Sequence, residues 1–248
     1  MAATYDNKNT ATGGGASTLT ILAFTVSGSN RLLFVTVGSS AAAAALTTSV
    51  VRDSGGLNES CTEAWDLTNG TYFHSSGHYL VAPATGSYAI LITLAAAQDE
   101  IGACATSWTA AHQTVPIGTP VTDSAHNGVL NPTLTVSDAG DDDVVIDGVY
   151  VYDATIAAET PGQTEQANLV ISAAVTHGCS TQLGSVAGDV MSWTGSASGN
   201  WAAGAVAIKP AAGGITVTQT SVISAAASVL THAAATLYPG SVIPTITL

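Results

Sequence analysis

Basic residues are nearly absent from this chain. Lys8, Arg31, Arg52 and Lys209 are the only four, set against 17 acids, and the formal net charge is −13. Nucleic-acid affinity is built from phosphates neutralised by Lys and Arg, so four dispersed cations exclude nucleic acid as a direct partner. An anionic membrane surface is disfavoured for the same reason. Long apolar runs are missing too. The richest, AAAAAL at 41–46, is far short of the ~18 residues that a membrane-spanning helix needs. No basic stretch followed by an apolar one opens the chain, so no secretory signal peptide is expected. The sequons at Asn58 and Asn69 are accordingly read as coincidental. Cysteine is scarce. Cys61, Cys104 and Cys179 are an odd number without C-x-x-C spacing, which argues against a zinc ribbon or a disulfide framework. Three buried thiols is the simpler expectation, and one bridge between two of them is the alternative. No segment shows a convincing amphipathic helical period.

What is present is apolar and small. Hydrophobic residues make up 46% of the chain, charged ones 8%, and the mean hydropathy is +0.36. Disordered chains combine low hydrophobicity with high charge, so this one is expected to fold around an ample core. The period is two nearly everywhere. LTILAFTV (19–26), RLLFVTV (31–37), GSYAILITL (86–94), VVIDGVYVY (144–152) and WAAGAVAI (201–208) are the clearest runs. Turn clusters separate them: Ser-Gly-Ser-Asn after 26, Pro-Ala-Thr-Gly at 83–86, Asp-Ala-Gly-Asp at 138–141. About a dozen short strands so punctuated predict an all-β, antiparallel β-sandwich of the jelly-roll kind. In the last run, Trp201, Ala203, Ala205 and Ala207 alternate with Ala202, Gly204, Val206 and Ile208, which predicts a central strand packed on both faces. In VVIDGVYVY, Asp147 shares a face with Val145, Val149 and Val151, so a buried donor is expected for it. Gly86 is expected in a left-handed turn conformation.

The expected domain division is a flexible lead-in over 1–16, the sandwich over 17–211 and an arm over 212–248. The arm follows a Gly-Gly joint, and residues 215–248 carry no acid and no base. Thirty-four uncharged residues rich in Val, Ile, Thr and Ala make a poor solvent-exposed tail. Ile215, Val217, Val222, Ile223, Leu230, Leu237, Tyr238 and Ile243 are therefore the expected assembly contacts, placed by strand addition to a neighbouring surface.

The ordered series SNRLLFVTVG (29–38), HYLVAPATGSYAILITL (78–94), HQTVPIGTPVTDS (112–124), TLTVSDAGDDDVVIDGVYVYD (133–153), GQTEQ (162–166) and MSWTGSASGNWAAGAVAIKPA (191–211) resembles a known module. It is similar to the jelly-roll sandwich found in bacteriophage structural proteins (head decoration and tail fibre) and in bacterial surface proteins. The resemblance covers about four fifths of the chain and rests on core-strand patterns, so it implies the fold more than a function. It brings no catalytic signature. The run Asp141-Asp142-Asp143 and the uncharged C-terminal extension depart from the module.

Several side chains are candidates for chemistry. Asp138, Asp141, Asp142 and Asp143 lie on a Gly-bearing turn, and hard oxygen donors so placed suit Ca²⁺. The D-x-[DN]-x-[DN]-G register is missing, and a solvated acidic turn is the simpler reading. His74 and His78 share a strand face but stand ~13 Å apart unless the strand breaks between them, too far to chelate one zinc. Glycoside hydrolysis needs two carboxylates across a groove, and Asp99, Glu100, Glu63 and Asp66 are available without a sequence reason to face one another. No G-x-S-x-G elbow is present, and His177 with Cys179 is too weak a spacing for a dyad. Trp65, between Glu63 and Asp66, is the best candidate for an exposed sugar-stacking platform, whereas two of the four tryptophans lie in strongly alternating strands and are expected in the core.

The function expected from this reading is a non-enzymatic structural protein of a phage virion, made in the host cytoplasm. Its place is capsid decoration (cement or head-fibre-like), as a homotrimer or small ring in contact with the major capsid protein, without nucleic acid, membrane or an obligatory cofactor. The alternative is a carbohydrate- or receptor-binding module of a tail fibre or cell surface, which predicts exposed aromatic side chains.

Overall fold

The computed structural model describes residues 2–41, 46–70, 72–128, 131–152, 155–158, 162–173, 175–196 and 199–211. The alanine run 42–45 and the arm positions Ile215, Val217, Val222, Ile223, Leu230, Leu237, Tyr238 and Ile243 lie outside these residues. Met1–Ala211 forms one compact unit, and its described residues are all strand and turn.

The strands fall into two series. The first holds β1 (Thr4–Gly13), β2 (Ala16–Val26), β3 (Leu32–Ser40), β4 (Thr47–Arg52), β5 (Glu59–Ser60), β6 (Thr62–Asn69), β7 (Phe73–Val81), β8 (Gly86–Gln98) and β9 (Glu100–Thr109). The second holds β10 (Val121–Gly128), β11 (Thr133–Val136), β12 (Val144–Tyr152), β13 (Ile156–Ala158), β14 (Thr164–Ser172), β15 (Val175–Leu183), β16 (Asp189–Gly195) and β17 (Gly199–Ile208). Every pairing between them is antiparallel. The first series makes a large sheet in the order β1-β9-β3-β7-β6 and a small one in the order β2-β8-β4-β5. The second makes β10-β17-β12-β15-β14 and β11-β16-β13. In each series the chain passes back and forth between its two sheets, as in a jelly roll.

The sandwich is thus present twice, strand for strand apart from the two-residue β5, which has no counterpart. Leu32 pairs with Trp108 and Val81 in the first large sheet, and Val144 pairs with Ile208 and Leu183 in the second. The correspondence extends to irregularities: a register shift follows Glu63 in β6 and Glu165 in β14. Gly86 and Gly188 open the equivalent strands β8 and β16 with φ of 123° and 82°, a region glycine enters without steric cost. The expected left-handed turn at Gly86 is therefore found, and it recurs.

Four layers result. Leu19, Ile21 and Phe24 of β2 and Ile90 and Ile92 of β8 pack on Leu33, Val35 and Val37 of β3 inside the first sandwich. Val136, Met191 and Trp193 pack on Val145, Val149, Ala203 and Ala205 inside the second. Between the sandwiches the two large sheets lie face to face, with Leu32, Phe34, Trp65, Cys104 and Trp108 against Val144, Ile146, Cys179, Val206 and Ile208. Each large sheet is covered on both faces, which is why β3, β12 and β17 read as dense apolar runs. The two-sided packing expected of Trp201–Ile208 holds: Ala203, Ala205 and Ala207 serve the second core and Val206 and Ile208 the central one. Close approach there depends on small residues. A Cβ on Gly148 would stand 2.8 Å from Thr36, and one on Gly38 would overlap the Tyr150 ring.

Where a flexible lead-in was expected, residues 4–13 are a strand paired to β9 from Thr4↔Thr109 to Gly13↔Ile101. Its side chains also close the sandwich edge: Asn7 and Asn9 donate to the carbonyls of Thr25 and Leu22, and Ser27 donates to Asp6. β1 is ordered because it supplies hydrogen bonds, which its polar composition conceals from a hydrophobic pattern.

Candidate functional site

The acidic turn brings its carboxylates to separate partners. Asp138 Oδ2 accepts from the Thr119 amide, Asp141 Oδ1 from the Val186 amide and Asp143 Oδ2 from the Gly140 amide. Lys209 Nζ donates to the Asp138 carbonyl and to Asp143 Oδ2, both at 2.7 Å. An ammonium therefore occupies the position a cation would take, and the turn is tied by its own base. Among the described residues no three His, Cys, Asp or Glu side chains converge as a metal site. Of the residues expected to hold Ca²⁺, Asp138, Asp141, Asp142 and Asp143, the carboxylates of Asp138, Asp141 and Asp143 go to different protein donors.

Trp65 is corrected. It is 4% exposed, because the register shift between Glu63 and Trp65 turns the indole into the space between the large sheets. It lies 5.5 Å from the Phe34 ring, and a Cβ on either Gly77 or Gly204 would overlap it. Those two glycines make room for the indole. Of its acidic sequence neighbours, Glu63 is exposed on the edge strand, whereas Asp66 is engaged by His74 and the Thr47 amide.

Several described histidines and carboxylates form core networks. β7 is continuous through Ser75-Ser76-Gly77, so His74 and His78 stay apart. His74 bridges Ser39 Oγ (3.2 Å) and Asp66 Oδ1 (3.0 Å), and Ser39 also donates to Gln98. The order Ser–His–Asp has the look of a nucleophilic relay, but Ser39 and His74 are wholly buried. Ser76 Oγ meets His78 Nε2 and Thr47 Oγ1. Burial holds His78 down to about 4 and His177 likewise to about 4; the latter contacts Thr36 Oγ1 at 3.1 Å. Cys179 is fully enclosed beside Cys104 with its thiol pushed well up, first by that neighbouring sulfur and then by burial. It is not poised as a nucleophile with His177. All three cysteines are free thiols, and burial pushes Cys61 up to about 12. Asp147 has its expected buried donors, the Ser180 amide and hydroxyl and the Trp193 indole N–H. Desolvation still outweighs them and lifts its carboxyl to about 7.

Two surface hollows stand out among the described residues. One, of about 620 Å³, is lined by Ser40, Ala41, Tyr72, Phe73, Asp99, Glu100, Tyr152 and Asn200. Phe73 stacks at 5.3 Å from Tyr152 and 6.2 Å from Tyr72. Asp99 and Glu100 are consecutive at its floor, and Glu100 accepts from Ser40 Oγ. Asp66 is engaged elsewhere, by His74 and the Thr47 amide. The pair that an acid-and-base glycosidase needs across a groove is not assembled from these acids.

The other hollow is a groove of about 640 Å³ where β1 meets β14, lined by Tyr5, Lys8, Trp108, Val144, Gly162, Thr164, Glu165, Gln166, Thr181, Gln182 and Leu183. Tyr5 is 41% exposed and stands edge-on to Trp108 at 5.6 Å. It is the one place where an exposed aromatic ring, amides, a carboxylate and an ammonium share a concave surface among the described residues. Sequence reasoning missed it, since its residues come from five strands and two of them from the presumed lead-in. Comparison with protein-family models, with curated proteins and with solved structures finds no match for this chain.

Proposed function

We propose that this chain is a structural protein of a bacteriophage particle, a capsid decoration protein that attaches through residues 212–248. The observation that carries the reading is the contrast between the two parts of the chain. Met1–Ala211 is a closed unit whose apolar faces are mutually covered. Residues 215–248 carry no charge at all and need a surface to cover them. An acidic exterior keeps crowded copies apart on a particle, and small rings with closed symmetry suit a repeated lattice. The enclosed Ser39–His74–Asp66 chain and the scattered carboxylates support a non-enzymatic role.

The test mixes undecorated particles with either the full chain or a chain ending at Ala211, then sediments them. The full chain should co-sediment in hundreds of copies per particle and the shortened one should stay in the supernatant. Equal attachment of both would refute the arm as the attachment device. A handful of copies per particle would favour a fibre tip over the head.

A further inference from the structure

The duplicated architecture contains its own control. Two equivalent seams run between the large sheets, one where β6 lies over β10 and β17 and one where β14 lies over β1 and β9. At the first, Ala64, Tyr79, Val81 and Ile117 pack onto the central core. Asn69 then crosses the gap to donate to the Ala125 and Trp201 carbonyls. The pairing registers identify their counterparts at the second seam as Gln166, Thr181, Leu183 and Tyr5. Ala64, Tyr79 and Ile117 give way to an amide, a smaller hydroxyl side chain and an exposed aromatic ring, and Leu183 is 61% exposed. Trp65, which fills the first seam, corresponds to Ala167 at the second. One seam is shut and the other is an open groove.

We infer that the β1–β14 groove binds a neutral saccharide. The ring of Tyr5, braced edge-on by Trp108, offers a π face to the C–H face of a sugar, the kind of contact that gives amphipathic aromatics their value in recognition. Thr164, Gln166 and Lys8 supply hydroxyl, amide and ammonium around it, and Glu165 adds a carboxylate that also accepts from the Ala158 amide, the planar and charged groups that hydroxyls pair with. The ammonium and the carboxylate cancel, so the groove selects no net charge although the whole chain is strongly acidic. Its volume lies within the ~300–1,000 Å³ of small-ligand sites. The inference is independent of the particle reading.

The test is calorimetric titration of the full chain with neutral trisaccharides of hexose, N-acetylhexosamine and deoxyhexose type. At least one should saturate with a Kd on the order of 1 mM or tighter. Tyr5→Ala and Lys8→Ala should each weaken that ligand about tenfold while leaving the melting temperature within about 2 °C. Tyr72→Ala, in the other hollow, should leave the affinity unchanged. Failure of every trisaccharide to bind at about 10 mM, affinity that survives Tyr5→Ala, or affinity lost in Tyr72→Ala instead would each overturn the assignment.

Discussion

Truncation of Trp65 separates a structural tryptophan from a binding platform. In the structure the indole is 4% exposed and caps Gly77 of its own sheet and Gly204 of the opposite one. It stacks on Phe34 at 5.5 Å, and Nε1 donates to Ser75 Oγ at 3.4 Å. Trp65→Ala removes a large buried ring from a layer that two glycines cannot refill, for which about 3–5 kcal/mol is the usual cost. The stacked pair with Phe34 accounts for about 0.5–1.5 kcal/mol of that. The loss falls on the layer shared by both sandwiches, so the two should stay coupled less tightly. Urea unfolding followed by circular dichroism should show a loss of unfolding free energy of that size. A cost below about 1 kcal/mol, the range of ordinary surface substitutions, would refute the buried placement and restore Trp65 as an exposed ring.

Two further outcomes follow from buried ionisable groups. His78 and His177 are held near 4, so between pH 6.5 and 4 the unfolded chain binds protons the folded one refuses, and stability falls as pH falls. Asp147, lifted to about 7, works the other way, because the folded chain holds its proton from pH 7 down to about 4 and gains stability on acidification. Two histidines against one carboxyl leave a net loss of roughly 2–3 kcal/mol from pH 7 to pH 4. Asp147→Asn should steepen that loss in denaturant titrations at each pH, and a flat or rising profile in the parent chain would contradict the assignment. Arg52 is wholly buried, paired with Glu59 at 2.6 Å, bonded to the Gly86 carbonyl and stacked on Tyr88 at 4.5 Å. Glu59→Ala should therefore cost about 3–5 kcal/mol, since it strands a charge in the interior. A thermal melt shifted by less than about 2 °C would show that Arg52 reaches water.

Much of the fold was legible where side chains are large. LLFVTV, VVIDGVYVY and GNWAAGAVAI announce β3, β12 and β17, because strands covered on both faces must be apolar on both. β1, β6 and β15 did not announce themselves. TYDNKNTATG, TEAWDLTN and VTHGCSTQL are strands whose polar groups bond across sandwich edges or within the core, so hydrophobic alternation has little to report. The duplication was illegible for a related reason. Across β6–β8 and β14–β16 the repeats share Thr62/Thr164, Glu63/Glu165, Leu67/Leu169 and Gly86/Gly188 but little else, since pairing register survives replacement of almost any side chain. The candidate site suffered most. Acids in a row suggested a metal, yet a lysine distant in sequence pairs with one of them, Asp143, and amides engage Asp138 and Asp141. The flanking acids of Trp65 suggested exposure, yet a one-residue bulge reverses the face on which a side chain lands.

The pairing of Thr4 with Thr109 and Gly13 with Ile101 sets a timetable for synthesis. β1 is made before every other strand of its sandwich and its partner is the last of them. At ~5–20 residues per second it must wait roughly 5–20 s for β9, and such distant closures are slow even in a finished chain. During that interval the waiting segment is TYDNKNTATG, with Tyr5 as its only large apolar side chain. A strand rich in Asn, Thr and Asp stays hydrated and does not recruit neighbouring chains, whereas an apolar one in its place would be an aggregation hazard on every ribosome.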